Sequence, residues 1–107
     1  MRTSVCIALV IAACLGIAAA AQSKPAPVEI TIDNFSFSPA ELKVPVGTTV
    51  TWTNRDDIPH TVVNTDKAFK SKVLDTEEKY SFTFSAAGTY PYFCSIHPKM
   101  TGKIIVQ

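Results

Sequence analysis

Seven residues near the C-terminus, Cys94-Ser95-Ile96-His97-Pro98-Lys99-Met100, carry a thiol, an imidazole and a thioether at equal intervals. Soft sulfur donors and an imidazole together suit a transition-metal ion. One Cys and two His in a trigonal plane with a weak axial Met form the donor set of a one-electron copper site, and this segment lacks only the second His. The other histidine of the chain, His60, follows Asp56-Asp57-Ile58-Pro59 and completes the set if the fold brings it beside Cys94. Copper is favoured over zinc, because a structural zinc site draws four Cys or His ligands and a thioether binds Zn²⁺ poorly.

Each of these residues also has a plainer role when taken alone. A buried free Cys is a common small core residue, and Met100 could fill core space beside Ile104 and Ile105. His60 alone suits a loop at the surface. A cysteine nucleophile paired with His60 or His97 is a third option, but it leaves Met100 without a role. Copper delivery or storage would use the same donors, with weak exchangeable binding and without an intense thiolate-to-copper colour. The joint pattern favours one metal site, metal: His60, Cys94, His97 and Met100, over four coincidences.

The N-terminus has the form of a secretory leader. Met1-Arg2 gives a positive start, Val5 to Ala13 an apolar run, and Ala18 to Ala21 small residues before Gln22. The expected organisation is a signal peptide over 1–21, a flexible lead over 22–27 and one domain over 28–107. Ile11-Ala12-Ala13-Cys14 also resembles a bacterial lipobox, in which Cys14 would carry lipid. The apolar stretch is short for a bilayer span and is interrupted by Gly16, so no membrane span is expected in the mature chain. Export implies a periplasmic location and leaves Cys94 as the sole mature cysteine, which excludes an internal disulfide. Arg2 is one of ten basic residues, so its removal leaves nine against nine acidic ones. A neutral mature chain does not suit nucleic-acid binding.

The elements that must position the donors are strands. Short runs of β-branched and aromatic residues alternate with Pro, Gly, Asn and Asp, and no stretch keeps a helical period. Val28–Ile32, Leu42–Val46, Thr48–Asn54, His60–Asn64, Ser71–Leu74, Tyr80–Phe84, Gly88–Phe93 and Gly102–Val106 are the candidate strands, with a weaker run at Phe35-Ser36-Phe37. The spacing predicts an all-β Greek-key β-sandwich of about eight strands, with Ile30, Trp52, Phe82, Phe84 and Ile105 facing inward. Asp66–Lys70 is expected to make no more than a helical turn.

The motifs Pro45-Val46-Gly47-Thr48-Thr49-Val50-Thr51-Trp52-Thr53-Asn54, Asp57-Ile58-Pro59-His60 and Gly88-Thr89-Tyr90, followed by Cys94-x-x-His97-x-x-Met100, resemble the cupredoxins. The short loop between Cys94 and Met100 is similar to that of the amicyanin branch of the plastocyanin and pseudoazurin group. The resemblance implies a periplasmic blue-copper electron carrier and not an enzyme. It implies one type 1 copper cycling between Cu(I) and Cu(II), held by His60, Cys94, His97 and Met100. It further implies a monomer whose redox protein partners, a dehydrogenase or cytochrome as donor and a cytochrome or oxidase as acceptor, dock near His97. Ile58, Pro59, Ile96 and Pro98 would ring that histidine, with Lys99 at the rim. Asn54 would lie behind the ligands, tying the His60 loop to the Cys94 loop and hydrogen-bonding near the sulfur.

Overall fold

The computed structural model describes residues 24–107. The expected signal peptide and the start of the flexible lead lie outside the described residues.

Alternation of apolar and polar side chains produces the first strand, β1 (Val28–Asp33), in which Ile30 and Ile32 are buried, Thr31 is half-buried, and Glu29 and Asp33 are exposed. It is followed by β2 (Ser36–Ser38), β3 (Glu41–Val44), β4 (Thr48–Asn54), β5 (Val63–Asn64), β6 (Lys79–Phe84), β7 (Gly88–Phe93) and β8 (Thr101–Val106). They form two four-stranded sheets, ordered β2-β1-β4-β6 and β3-β8-β7-β5. After the first hairpin the chain crosses between the sheets repeatedly before the closing β7–β8 hairpin, which gives the expected Greek-key sandwich. Each sheet contains one parallel pair, β1 with β4 and β3 with β8. No helix among the described residues is long and apolar enough to cross a membrane.

Aromatic packing unites the two layers. Trp52 from β4 meets Tyr92 from β7 edge-to-face at 5.4 Å, and Tyr92 in turn meets Phe37 at 4.7 Å. Offset and edge-on contacts of this kind add to what area burial alone contributes. Burial pushes the Tyr92 phenol up to about 12. On the outer face of the first sheet, Thr49 bonds Thr83 and Thr51 bonds Ser81 across the strands, so that face remains polar.

Three expectations need correction. Ile104, not Ile105, is fully buried, whereas Phe82 faces inward as expected, partly buried and packed against the core with Ile30, Trp52 and Phe84. The consecutive apolar residues Ile104-Ile105-Val106 conceal the parity that decides which side chain faces inward. The strand expected over His60–Asn64 is reduced to β5, and Ser71–Leu74 forms no strand. Side chains replace the ladder there: the Val62 N–H goes to Ser71 Oγ at 2.8 Å, and the Thr61 N–H goes to Cys94 Sγ at 3.4 Å. What remains is two isolated bridges, His60 with Leu74 and Val63 with Lys70. At Asp66–Lys70 there is a turn, in which Asn64 Oδ1 accepts the N–H groups of Asp66 and Ala68.

Gly102 marks a close approach within the second sheet. A Cβ built there would run into the ring and hydroxyl of Tyr92, which is almost wholly buried. Gly102→Ala is expected to destabilise the fold by about 1–3 kcal/mol, the usual cost of overpacking, measured as a lower denaturant midpoint. An unchanged midpoint would mean that Tyr92 moves aside freely.

Candidate metal centre

The β7–β8 hairpin supplies three of the four predicted ligands. Its last ladder pair is Phe93 with Thr101, and beyond it the Cys94 N–H donates to the Met100 carbonyl at 3.1 Å. The Met100 N–H donates to the His97 carbonyl at 2.9 Å, which folds the intervening residues into a tight turn. Cys94 and Met100 therefore leave the chain at the neck of the hairpin and His97 at its tip. Cys94 and Met100 are buried, whereas His97 retains partial access to solvent.

His60 reaches the same point from the other sheet connection. Its N–H and carbonyl pair with Leu74, at 3.1 and 2.8 Å, in one antiparallel bridge. Asn54 braces the approach: its Nδ2 donates to the carbonyls of Ile58 and Leu74, both at 2.9 Å, and its Oδ1 accepts the Asp56 N–H. Pairing of Val63 with Phe93 and of Asn64 with Tyr92 then sets the end of this loop beside Cys94.

The ligand atoms of His60, Cys94 and His97 all lie within 4.8 Å of one another. Cys94 Sγ is 3.7 Å from His60 Nδ1 and 3.8 Å from His97 Nδ1. Donors bound to one ion at about 2.0–2.3 Å stand about 3.5 Å apart or slightly more, so the spacing suits a single metal. Met100 completes the loop and lines the same surface depression as His97.

Hydrogen bonding fixes which atoms are free to bind. His60 Nε2 lies 3.0 Å from Asp56 Oδ2, and the ring is fully buried. With Nε2–H donated to the carboxylate, the Nδ1 lone pair faces the sulfur. In the metal-free protein a proton shared with the imidazoles stabilises the thiolate, and a soft metal cation bound by the same three donors would take its place. The His60 ring and the Phe35 N–H hold the Asp56 carboxyl below the usual carboxylate range.

Cys94 is poised as a thiolate. Burial pushes its thiol up, but the Thr61 N–H, the two imidazoles and the His97 N–H outweigh that effect and bring it down to about 6. Thr61 also bridges the loops through its hydroxyl, which lies 2.8 Å from Ser95 Oγ, accepts the Ser95 N–H at 2.7 Å and faces Cys94 Sγ at 3.8 Å.

The role expected of Asn54 thus belongs to Thr61. Asn54 braces the His60 loop internally, and Thr61 makes the connection to the sulfur and to the Cys94 loop. Thr61 was legible only as the residue after a ligand histidine, and Asp56 only as a carboxylate four residues before it. Of the apolar ring expected around His97, Ile96 and Pro98 line the depression with Phe35, Lys99 and Met100; Ile58 and Pro59 are not among the lining residues.

In the metal-free protein the Cys94 thiolate absorption is expected to titrate with a midpoint near 6. An unfolded thiol titrates near 8.5, so the stability contributed by this group is complete above that pH and is lost as pH falls through about 6. Ultraviolet titration against Cys94→Ser checks this, and a midpoint at the unfolded value of about 8.5 would contradict it.

A family model described as a cupredoxin-like domain matches residues 5–106. Amicyanin of Paracoccus denitrificans is 40% identical over 94 residues, spanning 83% of this chain and 72% of that protein. A purple cupredoxin from Nitrosopumilus maritimus superposes with a TM-score of 0.72 at 36% identity, covering 75% of this chain and 99% of that one. The Cu(I) form of an amicyanin variant superposes at 0.73 with 39% identity, over 82% of this chain and 89% of that structure.

Proposed function

The chain belongs to the cupredoxin-like family, in its amicyanin branch, and from that membership we propose that it is a periplasmic blue-copper electron carrier rather than an enzyme. The observation that carries the reading is the convergence of His60, Cys94 and His97 donors within 4.8 Å, with His60 Nε2 already committed to Asp56. His60 and His97 would bind through Nδ1 and Cys94 through its thiolate, with the Met100 thioether as a fourth, weaker donor. Copper supplies the one-electron couple.

What the protein contributes is constancy of position. Cys94 and Met100 are held across the hairpin neck, and His60 is fixed by Leu74 through its backbone and by Asp56 through its ring. A donor set that does not rearrange between oxidation states keeps electron exchange fast. The Thr61 N–H to the sulfur favours the thiolate and so tunes the potential.

His97 is the ligand through which electrons leave and enter. Phe35 and Ile96, 52% and 43% exposed, give its surroundings an apolar surface, with Lys99 at the edge. A small apolar face with a charged rim suits brief encounters with redox protein partners, a dehydrogenase or cytochrome as donor and a cytochrome or oxidase as acceptor. The carrier works as a monomer.

Titration of the chain from Gln22 with copper(II) is expected to bind one equivalent, with an intense visible thiolate band and narrow copper hyperfine splitting in electron paramagnetic resonance. Cys94→Ser is expected to lose both signals. Weak colourless binding by the wild type would assign the chain to copper delivery or storage instead.

A further inference from the structure

The hairpin between β1 and β2 is closed by two residues, Asn34 and Phe35, because Asp33 pairs with Ser36. Both lie in the left-handed region, Asn34 at φ 51° and Phe35 at φ 57°. A two-residue hairpin turn of this kind favours Asn at its first position, as found here, and Gly at its second. A bulky aromatic side chain in the glycine position is an outlier of the kind associated with functional constraint.

Core packing does not explain it, since Phe35 is 52% exposed. Its ring instead meets both histidines edge-to-face, with centroids 5.0 Å from His97 at 90° and 5.8 Å from His60 at 89°. The backbone beneath it is tied to the same site. The Phe35 N–H donates at 3.1 Å to Asp56 Oδ2, the oxygen that also receives the His60 ring at 3.0 Å.

We propose that Phe35 is a positioning residue for the metal centre, a wedge anchored by Asp56 that holds the imidazole of His97 against that of His60. The inference rests on the copper reading. His60 is locked by Asp56 and Leu74, but His97 stands at the tip of the hairpin, where, among the described residues, no hydrogen bond to its side chain is present apart from the contact with Cys94 Sγ. The Phe35 ring replaces the missing bond with two aromatic edges. The strain of the turn is retained because a glycine there would leave His97 free to swing outward.

The test compares Phe35→Gly with Phe35→Tyr. Phe35→Gly is expected to release copper to a chelator about five- to tenfold faster, the factor that one aromatic pair represents. Nuclear magnetic resonance relaxation should show the His97 ring mobile in both the Cu(I) and the metal-free protein. The metal-free unfolding midpoint should not fall, because glycine suits the left-handed backbone. Phe35→Tyr is expected to retain wild-type copper release and ring order. The proposal is overturned if Phe35→Gly holds copper and orders His97 as the wild type does. It is equally overturned if its metal-free stability falls in step with copper release, since Phe35 would then be a structural part of the turn alone. Should the wild type form no coloured copper site, the copper reading fails, and His97 ring relaxation in the metal-free protein still decides whether Phe35 positions that ring.

Discussion

A buried sulfur anion is the feature that the rest of the site is arranged around. A thiolate taken out of water is costly unless donors or a cation replace its hydration, and Cys94 is wholly buried. The Thr61 N–H supplies one replacement, and the imidazoles of His60 and His97 face the sulfur from two further directions. The sulfur thus helps join two connections of the sandwich that are also linked by the short pairing of β5 with β7 and by the Thr61–Ser95 hydrogen bonds.

This arrangement explains why the second sheet is irregular near His60. Regular pairing would have used the Thr61 and Val62 amides for ladder bonds, whereas one serves the sulfur and the other Ser71. The loss of sheet is compensated by side chains: Asn54 braces one end of the loop and Thr61 fastens the other to Ser95. Rigidity at the site comes from these specific bonds as much as from the strands, in keeping with the need of a functional constellation for supporting contacts behind its ligands.

The ligand types and the all-β class were legible because they depend on residue identity and short-range pattern. Both histidines, the sole cysteine of the 28–107 domain and the methionine three residues beyond His97 share one plausible chemistry, and strand alternation is strong in Val28–Ile32. Contacts between distant segments were not legible. Asp56 was visible only as a carboxylate four residues before His60, and its bond to that histidine depends on how the loop folds back. Thr61 looked like a strand residue, although its amide turns to a sulfur 33 positions away. Phe35 looked like part of a weak strand, because a left-handed phenylalanine contradicts local preference and only the two histidine rings account for it. The inward parity of β8 was hidden by three consecutive apolar side chains.

The central claim is that the protein fixes the donor positions before any metal arrives and keeps them fixed through both oxidation states. High-resolution crystal structures of the metal-free, Cu(I) and Cu(II) forms test it most directly. The account predicts that Cys94 Sγ, His60 Nδ1, His97 Nδ1 and the Met100 sulfur superpose closely in all three, with the Asp56–His60 and Thr61–Cys94 bonds intact. A Cys94–Met100 loop that refolds on metal binding, or a His60 ring that leaves Asp56 on reduction, would contradict it.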